Sequence, residues 1–195
     1  MYNETVNTSE KQIANKIDKL LESKDRVIVA ISGFGGSGKT TLAEKVKGLF
    51  EGSIWIQLDN FLINHGQGEG WAGGYDWERF EQVLKDTHEG KDLHYQTYDW
   101  QKDALTDSFI DEKLPKVIIV EGVRIFQPKL MPYFDLTVWI DCPLEVANKR
   151  GKARDAEGGA DKAHLDLWDN VWALKEREFL ELFHPNTTAN FVAQW

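Results

Sequence analysis

Apolar residues fall into two recurring rhythms along the chain. Between Ser9 and Leu21 they stand at Ile13, Ile17, Leu20 and Leu21, the spacing of one helix stripe. Val27-Ile28-Val29-Ala30-Ile31 is a short continuous apolar run, as expected of a strand buried on both faces of a parallel sheet. The pattern predicts further strands at Ser53–Leu58, Lys116–Val120, Asp135–Ile140 and Ala189–Ala193. Helices are expected over Lys39–Phe50, from a cap at Asp76 to about His88, from Pro143 as first helical residue to about Asp155, and from about Lys162 to Phe183. His184-Pro185 ends the last of these. Lys91–Phe109 is polar and aromatic without a clear period, so a loop or short ribbon is expected there. Alternating strands and helices predict an α/β fold, a three-layer α/β/α sandwich around a mostly parallel sheet.

At 195 residues the chain has the length of one domain, with a core expected over residues 26–193. The formal net charge of −9 argues against nucleic-acid and membrane-surface partners. Cys142 is the only cysteine, which excludes an intramolecular disulfide and a cysteine-based metal cluster. Met1–Glu10 has neither the basic nor the apolar segment of a leader peptide, and no apolar run is long enough to span a bilayer, so a cytoplasmic protein is expected. The acidic charge and eight tryptophans leave room for a homo-oligomer.

The chemistry concentrates where strands end. Gly33-Phe34-Gly35-Gly36-Ser37-Gly38-Lys39-Thr40-Thr41 fits G-x-x-x-x-G-K-[ST], between a buried strand and a helix. The glycines let successive N–H groups turn inward toward phosphate oxygens. Lys39 adds a point charge and Thr40 can reach Mg²⁺, while the helix N-terminus supplies a favourable dipole. Asp59 follows the second strand, where a carboxylate can take the proton of an attacking hydroxyl. Glu121 follows the third, where it can orient Mg²⁺. In such sheets, ligands bind beyond the carboxyl ends of the strands, so these signals converge on one crevice. Asp141 reads instead as a helix cap and Asp135 as a strand start at the far edge. Arg150 and Arg154, one helical turn apart, are candidates for a lid over about residues 150–162. The five histidines show no metal-ligand spacing. Asn15-Lys16-Ile17-Asp18 matches a guanine-reading pattern, but it precedes the phosphate loop on an amphipathic helix and is set aside.

Taken together, these segments resemble the uridine kinase and phosphoribulokinase group of P-loop kinases, from about Arg26 to Val192. The phosphate loop is similar to the family's GGSGSGKTT. Leu58-Asp59-Asn60-Phe61 resembles its D-S-F-Y segment, which implies that Asp59 is the catalytic base. Tyr75-Asp76-Trp77 resembles the F-D-H segment, implying ribose contact by Asp76. Thr97-Tyr98-Asp99-Trp100 resembles the Y-D-F segment, implying base packing by Tyr98 and Trp100. Val120-Glu121-Gly122 resembles the E-G segment whose Glu binds Mg²⁺, and Arg154-Asp155 the R-D that starts the lid. Asn190-Phe191-Val192 resembles the closing strand.

The chain departs from that pattern at the acceptor side. Asp103 stands where uridine kinases carry a base-reading His, Leu62 replaces a tyrosine-like residue, and residues 156–161 carry no arginine. Arg124 stands just after Glu121-Gly122, where the family is usually apolar, and could contact an anionic substrate. The resemblance implies an ATP- and Mg²⁺-dependent kinase acting on a small-molecule acceptor, with Lys39, Asp59 and Arg154 catalytic. Uridine, another small metabolite, or no acceptor at all in a nucleotide-binding regulator remain open.

Overall fold

The computed structural model describes residues 8–194. Met1–Asn7, most of the segment on which the leader-peptide reading rests, lie outside the described residues. The first helix, α1 (Thr8–Leu21), buries Ile13 and Ile17 completely, as its stripe predicts. Strand β1 (Val27–Ser32) follows, then α2 (Lys39–Leu49) and β2 (Ile54–Gln57). A single 3₁₀ turn, Leu58–Phe61, carries Asp59.

Helix α3 (Trp77–His88) begins at Asp76, whose Oδ1 accepts the Arg79 N–H at 3.0 Å. Such a cap satisfies one of the four free N–H groups of a helix start. An antiparallel ribbon of β3 (Leu93–Asp99) and β4 (Ala104–Glu112) fills the stretch without a period. Then come β5 (Val117–Glu121), β6 (Leu136–Asp141), α4 (Leu144–Glu157), α5 (Lys162–Leu167), α6 (Ala173–Phe183), α7 (Pro185–Thr188) and β7 (Phe191–Gln194).

Five strands form one parallel sheet in the order β2-β5-β1-β6-β7. All residues of β1 and β5 are buried, as expected of central strands covered on both faces. The chain leaves β1 toward β2 on one side and later returns to β6 on the other. The order therefore reverses at β1, and this switch point opens a crevice at the strands' carboxyl ends. The register sets Glu121 beside both Ile31 and Gln57, so it lies between the start of the phosphate loop and Asp59.

Three local expectations are corrected. Pro143 occupies the cap position rather than the first helical one, because its ψ of 137° is extended. Asp141 does not cap α4: its Oδ2 accepts from Gln194 Nε2 at 3.0 Å, tying β6 to β7. The helix expected over Lys162–Phe183 runs through, but Trp168–Trp172 is a π-helical segment between α5 and α6. Asp135 does sit at the far end of the sheet, accepting from Ile28 N at 2.7 Å and Lys24 Nζ at 2.6 Å. No described helix is long and apolar enough to cross a membrane.

Candidate active site

The phosphate loop joins β1 to α2. Gly38, just before the helix, has φ 98° and ψ 15°, a left-handed conformation that suits glycine. No side chain caps α2, which leaves its first N–H groups available for an anion. Lys39 is buried, and its Nζ donates to the Phe34 carbonyl at 2.9 Å and lies 3.9 Å from Glu121 Oε1. Burial pushes the Glu121 carboxyl up to about 7. Lys39 opposes that rise, Asp59 adds to it, and a hydrogen bond from Thr40 opposes it. A carboxylate so desolvated gains most from a nearby cation.

One cavity of about 1100 Å³ gathers most of the expected residues. Gly35, Gly36, Gly38, Lys39, Thr40, Thr41 and Glu121 line it, together with Asp59, Trp100 and Arg124. Arg150 and Arg154 contribute from α4. The Tyr75 hydroxyl donates to Asp59 Oδ1 at 3.3 Å. Arg154 is exposed and bonds Asp155 through Nε at 3.0 Å and Nη2 at 2.8 Å. Arg150 Nη1 lies 3.8 Å from Cys142 Sγ.

Other expected residues stand outside the cavity wall. Gly33, Phe34 and Ser37 support the loop from behind: the Phe34 carbonyl accepts the Ser37 N–H at 3.0 Å. Asp76 is committed to the α3 start and lies 3.5 Å from Arg79 Nε. Tyr98 donates to Asp103, which also accepts the His65 N–H at 2.9 Å. These two residues therefore hold the ribbon tip to the loop at His65, and Trp100 is the ribbon aromatic that reaches the cavity.

The sequence pattern did not reveal a further group of lining residues. The π-helical segment presents Trp168 and Trp172 to the cavity, their rings 5.0 Å apart and nearly perpendicular. A π segment changes the angular step of a helix, and such segments recur at functional sites. His164 and Trp100 complete an aromatic group, with His164 5.9 Å from Trp100 and 5.4 Å from Trp172. Glu176, one turn further on, is buried, and its Oε1 accepts the Gly35 N–H at 2.6 Å. Burial raises the Glu176 carboxyl pKa, while Lys39, the Gly35 bond and Arg124 oppose the rise. Trp168, Trp172 and Glu176 recur every four residues, a spacing that was available as a signal.

The phosphate loop with Asp59 and Glu121 beyond two neighbouring strands is the arrangement of a nucleotide-binding P-loop. The donors beside it, Thr40, Glu121 and Asp59, are hard oxygens. They suit Mg²⁺, which takes one or two protein ligands and keeps water and phosphate for the rest. No group of three or more histidine, cysteine or acidic side chains that could hold a metal occurs among the described residues.

Comparison with known proteins agrees with this geometry. The NB-ARC domain family matches residues 9–61, which hold α1, β1, the phosphate loop, α2 and β2. A uridine kinase of Borrelia hermsii is 29% identical over 66% of this chain and 66% of its own length, so the match spans just under two thirds of that relative. A uridine kinase of Ureaplasma parvum is 25% identical over 90% of this chain and 91% of its own. Among solved structures, a possible uridine kinase from Bacillus stearothermophilus aligns with a TM-score of 0.67 at 21% identity, covering 93% of this chain and 98% of that one. A D-glycerate 3-kinase from Cryptococcus neoformans aligns with a TM-score of 0.67 at 13% identity, covering 99% and 94%. These structural likenesses show the fold.

Proposed function

We propose, from the chain's similarity to uridine kinases and from the site's geometry, that it is a uridine kinase-like, ATP- and Mg²⁺-dependent phosphotransferase. It would move the γ-phosphoryl group of ATP to a hydroxyl of a small acceptor. The observation that carries this reading is the shared cavity. Lys39, Thr40, Glu121 and Asp59 face one space large enough for a nucleotide and a second small molecule.

In this reading the inward N–H groups and Lys39 hold the phosphates. Thr40 and Glu121 would hold Mg²⁺, which neutralises charge on the terminal phosphates. Asp59, oriented by the Tyr75 hydroxyl, accepts the proton of the acceptor hydroxyl. Arg154 turns from Asp155 to the transferring group, and the aromatic wall excludes water. Nothing in the chain has to form a covalent intermediate, so the rate comes from positioning and electrostatics.

The test is ATP consumption by the pure protein with Mg²⁺ against nucleosides, vitamins and sugar phosphates. One acceptor should stimulate turnover strongly. Asp59→Asn should keep ATP affinity within a few-fold and lose about three powers of ten in transfer. Lys39→Ala should lose several powers of ten, and an unaffected rate would remove the loop from catalysis. A flat panel despite tight ATP binding would instead identify a nucleotide-binding regulator.

A further inference from the structure

Two buried cations that the mechanism above does not use lie beside the cavity: Arg124 lines it, and Lys175 bonds the loop next to it. Arg124 follows β5 and has a positive φ of 57°, a conformation that non-glycine residues seldom adopt. Its side chain reaches the cavity wall although the residue is only 4% exposed. Nη1 donates to the carbonyl of Trp71 and lies 3.5 Å from that of Gly73. Nε has no partner among the described residues. The guanidinium carbon stands 5.1 Å from the centre of the Tyr75 ring, and the Tyr75 hydroxyl reaches Asp59. Lys175, 5% exposed, donates to Gly73 O at 2.9 Å and Gly66 O at 3.2 Å.

Neither cation forms a salt bridge among the described residues, whereas other buried or half-buried cations, such as Lys39 and Arg79, do. A buried charge without an ion-pair partner is costly, and carbonyl dipoles offset only part of that cost. The neighbouring carboxylates place their hydrogen bonds elsewhere, Asp59 with Tyr75 and Glu176 with the Gly35 N–H, and Glu176 acts on Arg124 only as a charge beyond ion-pair distance. Pinning the loop of residues 66–74 accounts for Nη1 of Arg124 and for Lys175. It does not account for Nε, nor for a charged group lining the cavity rather than a neutral donor.

We propose that the acceptor carries an anionic group, a carboxylate or a phosphate ester, and that Arg124 binds it beside the hydroxyl facing Asp59. This deepens the phosphotransferase reading and rests on it. Lys175 supports the same potential from behind the wall. A neutral nucleoside would leave Arg124 without an ion-pair partner, so the site discriminates against it.

Matched probes test the idea: glycerol against glycerate, ribose against ribose 5-phosphate, and uridine. Turnover is followed by ADP release, and binding by the fluorescence of the cavity tryptophans. The charged member of at least one pair should show a KM at least thirtyfold below its neutral partner. Which pair responds separates carboxylate from phosphate ester. Arg124→Gln should raise that KM at least thirtyfold relative to the KM for MgATP, and Arg124→Lys should lose less. If Arg124→Gln does not fold, Arg124→Lys against wild type carries the comparison.

Equal KM values within both pairs, or a preference for uridine insensitive to Arg124, would overturn the proposal while leaving a kinase. If no probe turns over, the binding arm decides. Charged probes that bind in an Arg124-dependent way keep the anion site and remove the phosphotransferase reading. Charged and neutral probes that bind alike, or neither at all, overturn the anion site.

Discussion

Replacing Gly36 with alanine should uncouple the phosphate loop from its ligand, and the size of the effect follows from two distances. A Cβ at Gly36 would lie 2.2 Å from the Ala147 carbonyl oxygen and 2.7 Å from the Gly151 nitrogen, where ordinary contact begins near 3.4 Å. The loop and α4 must therefore separate by more than an ångström. The φ of 78° adds about 1–2 kcal/mol for a side chain in the left-handed region. A loop displaced that far loses one or two N–H bonds to phosphate, each worth about 1.5–3 kcal/mol. About 3 kcal/mol in binding is a loss of roughly 100-fold or more. Calorimetric titration with MgATP measures this directly, and a melting curve reports the strain. Gly48→Ala is the matched control. Nothing lies within 4 Å of the added carbon, and alanine in that helix should stabilise by about 0.5–1 kcal/mol. That raises Tm by a few degrees at most. A Gly36→Ala protein that binds ATP as tightly and melts at the wild-type temperature would refute the reasoning.

Trp168→Ala should cost about 3–5 kcal/mol of stability, because a buried indole packed on Trp172 and on Gly151 is removed. Urea unfolding with an unchanged m-value checks this, and a loss below 1 kcal/mol would mean that α4 is not anchored there. The Lys175 pKa is lowered to about 8 by burial and by Arg124. The folded state therefore releases this proton before the unfolded state does. Unfolding free energy should rise relative to Lys175→Met as pH goes from about 8 toward 10.5, and a difference independent of pH would contradict it. Glu176→Gln should keep the Gly35 bond but lose its charge, so melting at neutral pH should change by less than removing the side chain with Glu176→Ala.

The parallel sheet was legible because its strands are buried on both faces, so Val27–Ile31 and Val117–Val120 read as unbroken apolar runs. Asp59 and Glu121 were legible for a related reason: a strand of known direction fixes which end its last residue occupies. The β3–β4 ribbon had no such signal. Most of its residues are half-buried or exposed, so no alternation separates an inner from an outer face. Arg124 was visible as an unusual residue type, but its burial and its unpartnered Nε depend on the carbonyls of Trp71 and Gly73, about fifty positions away. Glu176 bonds Gly35 across 141 positions, a pairing that no local pattern encodes.

The glycines of the phosphate loop show where a local reading stops short. The motif requires Gly33 and Gly38 and leaves the positions between them free. Gly35 and Gly36 occupy two of those positions, and a sequence reading assigns them to the phosphate. The fold gives them a second partner. A Cβ at Gly35 would meet the Trp168 ring at 3.0 Å, and one at Gly36 would strike the α4 backbone. A Cβ at Gly151, on α4, would meet the same Trp168 ring at 2.1 Å. Loop, α4 and π-helical segment therefore close on one another through three positions without side chains. Glu176 adds a buried bond to the same contact. Anything that moves α4, which also carries Arg150 and Arg154, must move against the loop that holds the phosphates. Substitutions on α4 should therefore alter nucleotide affinity even where they touch no ligand.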